Sequence, residues 1–238
     1  MATVHHYPDY AEMSRQAAAR VIAAATAKSD FLLCAPTGNS PAGLYEALIR
    51  EHGKNPDLLR SLRVVKLDEW LGVPPGDPAS CEHYLQSRLV GPLAIAAERY
   101  LSFDSETKDP VQECARVSAE LKRHDPIDVC ILGLGRNGHL ALNEPATTLQ
   151  PNCHVAKLSA ETLGHAMFSG WDAKPAFGLT LGIGDILASR RILLLVTGKG
   201  KERAITRFLE ATVTTELPAS FLGLHQDVEV LLDDSSSA

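Results

Sequence analysis

Four short segments bring together side chains that can move protons and hold an anion. In Lys66-Leu67-Asp68-Glu69-Trp70 two carboxylates are adjacent. On extended backbone neighbouring side chains face opposite ways, so one acid can enter a cleft while the other is solvated or caps a turn. A carboxylate placed there can act as general base toward a carbon acid, and the apolar wall of Trp70 raises its pKa. In Gly133-Leu134-Gly135-Arg136-Asn137-Gly138-His139-Leu140-Ala141-Leu142-Asn143-Glu144-Pro145, a histidine and a glutamate stand five apart on a glycine-flanked loop. That spacing suits an imidazole proton shuttle whose tautomer is set by an acidic partner. The glycines, Gly138 among them, allow the backbone to approach a ligand closely. The third segment runs Ala35-Pro36-Thr37-Gly38-Asn39-Ser40-Pro41. It is small and hydroxyl-rich, and it can aim backbone N–H groups and a helix N-terminus at an anion. The fourth, Thr197-Gly198-Lys199-Gly200-Lys201-Glu202, puts two lysines at the start of a helix, where the dipole disfavours positive charge. A bound phosphate would reverse that penalty.

These segments need elements that place them side by side. Five short apolar runs read as buried strands: residues 31–35, 63–67, 128–135, 177–182 and 191–198. Between them lie helical patterns at 41–52, 81–90, 110–123 and 199–211, with Pro41 and Pro110 suited to first turns. Met13, Ala17, Val21 and Ala24 recur at helical spacing and predict an amphipathic first helix. Alternation of this kind predicts a doubly wound α/β fold, a mostly parallel Rossmann-like sheet with helices on both faces, in one domain over residues 1–238. Ligands of such folds bind at the carboxyl ends of the strands, which is where all four segments fall.

Residues 133–138 match G-x-G-x-x-G, the dinucleotide fingerprint, but Pro145 stands where the following helix should be running. A strand-like run at 154–158 also follows too soon for a full crossover helix. No nicotinamide cofactor is therefore expected. Acids outnumber bases 29 to 23, a net charge of −6, which argues against a nucleic-acid partner. No apolar run approaches the ~18 residues of a membrane span. Asp9 and Glu12 precede the alanine-rich stretch where a signal peptide wants positive charge, so a cytoplasmic protein is expected. Five cysteines without C-x-x-C spacing predict reduced core thiols and no metal site. No G-x-S-x-G elbow supports a serine hydrolase.

Taken together, TGNSP, LDEW, GLGRNGHLALNEP and GKGK resemble the glucosamine-6-phosphate deaminase/isomerase family, over nearly the whole chain. The segments VKLDEW, LQPNCH, LLVTGKGK and LPASFLGLH resemble most closely its bacterial galactosamine-6-phosphate isomerase/deaminase branch. The resemblance implies a small-molecule sugar-phosphate substrate, no cofactor, and conversion of an amino-sugar 6-phosphate to a ketose 6-phosphate with release of ammonia. By the same resemblance His139, oriented by Glu144 and by Asn137, opens the sugar ring, and Asp68 moves the C2 proton. Thr37, Gly38, Asn39, Ser40 and Lys201 then hold the phosphate. Homo-oligomerisation is left open. Three departures stand out. Asn137 replaces an aspartate, and an amide orients an imidazole without adding charge. Residues 161–170 contain no arginine where the family often has one for phosphate. The long C-terminal extension of allosteric members is not matched, so effector control is not expected. A 6-phosphogluconolactonase is the nearest rival, but it typically lacks Asn-Glu-Pro after the histidine. A sugar-phosphate-sensing module would want a helix-turn-helix before Phe31.

Overall fold

The computed structural model describes residues 2–124, 126–164, 174–210 and 212–237. Its first half contains strands β1 (Thr3–Tyr7), β2 (Leu32–Ala35), β3 (Arg63–Lys66), β4 (Asp68–Trp70) and β5 (Tyr100–Leu101). The helices there are α1 (Tyr10–Thr26), α2 (Asn39–Lys54), α3 (Cys81–Leu85) and α4 (Pro110–Arg123). The second half adds β6 (Val129–Gly133), β7 (His154–Lys157), β8 (Phe177–Thr180), β9 (Arg191–Val196) and β10 (Val228–Asp233). Helices α5 (Ala160–Leu163), α6 (Ile183–Leu187) and α7 (Glu202–Leu209) complete the elements used below.

Seven strands form a parallel sheet in the order β1-β10-β9-β6-β2-β3-β5. The period-2 alternation of a strand explains how helices come to cover both faces. Ile192, Leu194 and Val196 of β9 join the core with Cys114 and Val117 of α4 and Phe208 of α7. Leu193 and Leu195 point the other way and pack with Val21 of α1 and with Leu44 and Leu48 of α2. Strands buried on both sides must read as continuous apolar runs, which is why β2, β6 and β9 were visible in the sequence. Helix α4 begins as expected, with Pro110 in its first turn and the Asp109 carboxylate accepting from the Gln112 N–H at 2.9 Å. The expected helix over 81–90 is α3 continued by a wider turn, in which the Gly91 N–H reaches back five residues to the Gln86 carbonyl.

Two expectations are corrected. The run at 177–182 is not a strand of the parallel sheet. As β8 it pairs antiparallel with β4 and β7 in a separate three-stranded sheet. The run at 63–67 likewise does not stop at Leu67. The Leu67 N–H donates to Ala35 in the large sheet, and its carbonyl accepts from Leu181 beside the small one. Asp68 is thus the first residue after the chain changes sheets. Residue 211, the expected end of the last helix, lies outside the described residues.

Candidate active site

The four neighbours β9, β6, β2 and β3 carry the four chemical segments at their carboxyl ends, and β2 is where the connections turn from one side of the sheet to the other. That crevice is the expected ligand site of an open α/β sheet. It holds a cleft of about 850 Å³ whose walls include Thr37, Gly38, Asn39, Ser40, Asp68, His139 and Lys201. Asn137 and Glu144 stand behind His139 rather than in the wall. Gly138 also stays out of the wall. Its φ of +87° and its close packing on Leu217 fit a turn that admits no side chain.

Helix α2 starts at Asn39, two residues earlier than expected, so Ser40 lies inside its first turn and does not cap it. The cap position is Gly38, at φ +97°, ψ −173°, a conformation open to glycine, and no side chain caps that end. Pro41 has no N–H and the Gly43 N–H donates to the Tyr10 hydroxyl at 2.7 Å, so Asn39, Ser40 and Ala42, which all line the cleft, supply the first-turn N–H groups that no side chain caps.

The histidine loop is a closed turn: Gly138 N–H donates to the Gly135 carbonyl at 3.0 Å, and Gly135 N–H to that of His139 at 3.1 Å. No helix follows the glycines, which removes the structural basis of a dinucleotide site. Hydrogen bonds determine the imidazole tautomer. Glu144 Oε2 can only accept, so the Asn137 amide turns its Nδ2 toward it, at 2.8 Å. Asn137 Oδ1 must then face His139, where it accepts from the backbone N–H at 3.1 Å and from Nδ1 at 2.8 Å. Nδ1 carries the proton and Nε2 is left to exchange one with a substrate. The expected direct histidine–glutamate contact is thus bridged by the amide, with His139 Nδ1 at 3.5 Å from Glu144. Burial would raise the Glu144 pKa, but His139, Thr162 and Ser159 hold it down to about 2. The buried Asn143 amide donates to the carbonyls of Leu140 and Leu181, both at 3.0 Å, and ties this loop to the end of β8. The same turn holds Ala141, a cleft residue, at φ +53°, a strained value for a side chain other than glycine.

A Cβ on Gly135 would overlap the His139 ring. Gly135→Ala should therefore push the imidazole off Asn137 and lower kcat about 100-fold, the cost of a misplacement near 1 Å, with little change in melting temperature. Steady-state kinetics beside a thermal melt checks this.

Asp68 is 8% exposed and its neighbour Glu69 is wholly buried. Glu69 is thus not solvated but fills the capping alternative. It accepts the N–H groups of Cys81 (2.9 Å) and Glu82 (2.8 Å) at the start of α3 and the Lys66 ammonium at 2.6 Å. Lys66, also fully buried, reaches Glu82 at 2.7 Å as well. Two carboxylates around one ammonium leave net negative charge behind Asp68. Burial first, and then Glu69, push the Asp68 pKa up to about 7, against the opposing pull of Lys66 and His139. A carboxylate with that pKa can both take and return a proton near neutrality.

Lys201 and Arg136 both line the cleft. Burial, with Arg136 beside it, lowers the Lys201 pKa against a weaker pull from Asp233. Arg136 was missed in the sequence because its loop was read for glycines and histidine. The available signal was a cation three residues before the histidine at a strand's carboxyl end. Residues 165–170, most of the stretch searched for an arginine, lie outside the described residues. Cys34, Cys81, Cys114 and Cys130 are buried free thiols, and Cys153 is half-buried. No helix among the described residues is long and apolar enough to cross a membrane.

Residues 8–232 match the family model described as glucosamine-6-phosphate isomerases/6-phosphogluconolactonase. The chain is 40% identical over 231 residues to "Putative deaminase AgaI" of Escherichia coli (strain K12), covering 97% of this chain and 92% of that protein. It is 36% identical over 232 residues to glucosamine-6-phosphate deaminase 1 of Bacillus subtilis (strain 168), covering 96% of each. Among solved structures, a monomeric glucosamine-6-phosphate deaminase superposes with a TM-score of 0.94 at 34% identity, covering 99% of this chain and 98% of the other. The 6-phosphogluconolactonase of Trypanosoma brucei shares the fold, with a TM-score of 0.77 at 22% identity.

Proposed function

The chain belongs to the glucosamine-6-phosphate isomerase/6-phosphogluconolactonase family, among its deaminases, and on that premise we propose that it converts galactosamine 6-phosphate to tagatose 6-phosphate and ammonia. The observation that carries this reading is a buried carboxylate with a pKa near 7 sharing one cleft with a tautomer-fixed imidazole and a lysine.

In the proposed sequence His139 Nε2 takes the proton of the anomeric hydroxyl and returns it to the ring oxygen, giving the open-chain aldehyde. Asp68 removes the C2 proton; the electron pair of that bond forms the C1–C2 double bond while the C1 carbonyl pair moves onto its oxygen, which takes a proton from the substrate's C2 ammonium to give a neutral enolamine. Protonation at C1 by the same carboxyl group leaves an iminium at C2. Water adds there, and ammonia departs as the C2 carbonyl forms. Asp68 ends ionised, as it began, so the cycle closes without any further reactant. Glu144, held ionised by His139, Thr162 and Ser159, supports the imidazolium formed in passing. The uncapped N-terminus of α2 with Thr37 and Ser40, together with Lys201, suits the 6-phosphate.

The galacto preference rests on the segments shared with that branch, whereas the relatives named as glucosamine-6-phosphate deaminases make glucosamine 6-phosphate the second reading. Parallel kcat/KM values for ammonia release from the two amino sugars decide between the readings: a higher value for the galacto sugar supports the first, and a higher value for the gluco sugar overturns it. Hydrolysis of 6-phosphogluconolactone with neither sugar turned over would contradict both. Lys201→Ala should raise KM about 10- to 100-fold through loss of a charge-assisted contact, with a smaller change in kcat. An unchanged KM would take the lysine off the phosphate.

A further inference from the structure

We propose that Arg136 is a second cation for the substrate phosphate, facing the same group as Lys201 and carried on the turn that bears His139. The inference rests on the sugar-phosphate reading of the cleft and adds a residue to it.

Arg136 follows β6 in the cleft wall, and Lys199 and Lys201 come from the turn after the neighbouring β9. The arginine stem lies against that turn: a Cβ placed on Gly200 would stand 3.4 Å from its Nε. Gly200, at φ +82°, thus leaves room for two cations to approach each other. Their mutual repulsion contributes to the lowered pKa of Lys201. Lys201 is half-buried and Arg136 is exposed, and two like charges brought together there repel each other until a counter-charge joins them. The nearest acids supply it only from a distance: Asp233 attracts Lys201, and Glu202 attracts Arg136. Glu202 accepts from the Gly200 N–H at 3.1 Å, and Asp233 holds the Ser235 hydroxyl at 2.6 Å and the Ser236 N–H at 3.2 Å. Among the described residues neither Arg136 nor Lys201 has a carboxylate within 4.0 Å. Across the same cleft stands the uncapped start of α2. Two cations facing helix N–H groups match a phosphate dianion, the lysine as a point charge and the arginine as a two-pronged donor.

The placement has a mechanical consequence. Arg136 lies inside the turn closed by the Gly135–His139 hydrogen bond. A phosphate gripped by Arg136 therefore sets the position of the His139 ring relative to the sugar.

The test compares wild type, Arg136→Gln and Arg136→Lys for inorganic phosphate binding by calorimetry, for KM and kcat with both amino-sugar phosphates, and for melting temperature. Arg136→Gln should weaken phosphate binding and raise KM about 10- to 100-fold, with kcat falling less. Arg136→Lys should recover part of the affinity, since it keeps the charge and loses the fork. Phosphate affinity within twofold of wild type in a folded Arg136→Gln overturns the proposal, as does a variant whose only change is a lower melting temperature. A wild-type protein that binds phosphate but releases no ammonia contradicts the reaction, while the phosphate arm still decides the arginine. Absence of phosphate binding by the wild type contradicts the arginine site as well.

Discussion

Asp68→Asn is expected to lower turnover by about 10²–10⁴-fold, the usual contribution of a positioned general base, and to leave binding of the sugar phosphate intact. The same substitution should raise the melting temperature at pH 8. Both effects follow from one property: burial and Glu69 lift the Asp68 pKa from 3.8 to about 7. Between those values the native state binds more protons at this site than the unfolded chain does, so stability falls as pH rises through the window. Above it, the folded protein bears the whole cost of an ionised, buried carboxylate, on the order of 4 kcal/mol. Asparagine has the same shape and no charge. Because its amide must also be desolvated, the expected gain is smaller, a rise of several degrees at pH 8 that disappears near pH 4. For the wild type, kcat/KM should fall on the acid side of about pH 7 as Asp68 becomes protonated. A variant that keeps its turnover, or loses melting temperature at pH 8, would remove Asp68 from the role of buried base.

Lys66→Met carries the largest expected loss of stability. The ammonium is wholly buried and holds Glu69 at 2.6 Å and Glu82 at 2.7 Å. Removing it leaves a buried, uncompensated carboxylate, a change that typically costs about 3–5 kcal/mol. In a chain of this size that corresponds to a fall of roughly 10 °C or more in melting temperature. Lys66 also favours the ionised form of Asp68, so the acid limb of kcat/KM should move to higher pH in the folded variant. Adding Glu69→Gln should restore much of the stability, and a double-mutant cycle would measure the coupling. Melting curves of the single and double variants at pH 7 check this, and equal losses in both would refute the pairing.

Much of the fold was legible because the central strands lie between two layers of helices. Burial on both faces forces runs such as Ile192 to Val196 to be apolar throughout, and strand–helix alternation then gives the parallel sheet. Edge elements offered less. The five residues of β1 include two histidines and only partly bury their side chains, and β5 has two residues. The change of sheet at Leu67 was not legible, because it depends on antiparallel pairing of Asp68 with Thr180, over a hundred residues away. The same holds for Lys66. A lysine in a short strand reads as solvated until Glu69 and Glu82 are found around it. In the site, the histidine loop was informative because its glycines, amide and carboxylate are all required locally, whereas Arg136 gains its meaning only beside Lys201, which arrives on another strand.

Asp68 as the base of a deaminating isomerisation is tested by measuring ammonia and ketose 6-phosphate together, from galactosamine 6-phosphate and glucosamine 6-phosphate, with wild type and Asp68→Asn side by side. Equimolar ammonia and ketose are expected from the wild type, and loss of both products in a variant that still binds the sugar phosphate. Failure of the wild type to release ammonia from either sugar, or equal turnover by Asp68→Asn, would contradict that role.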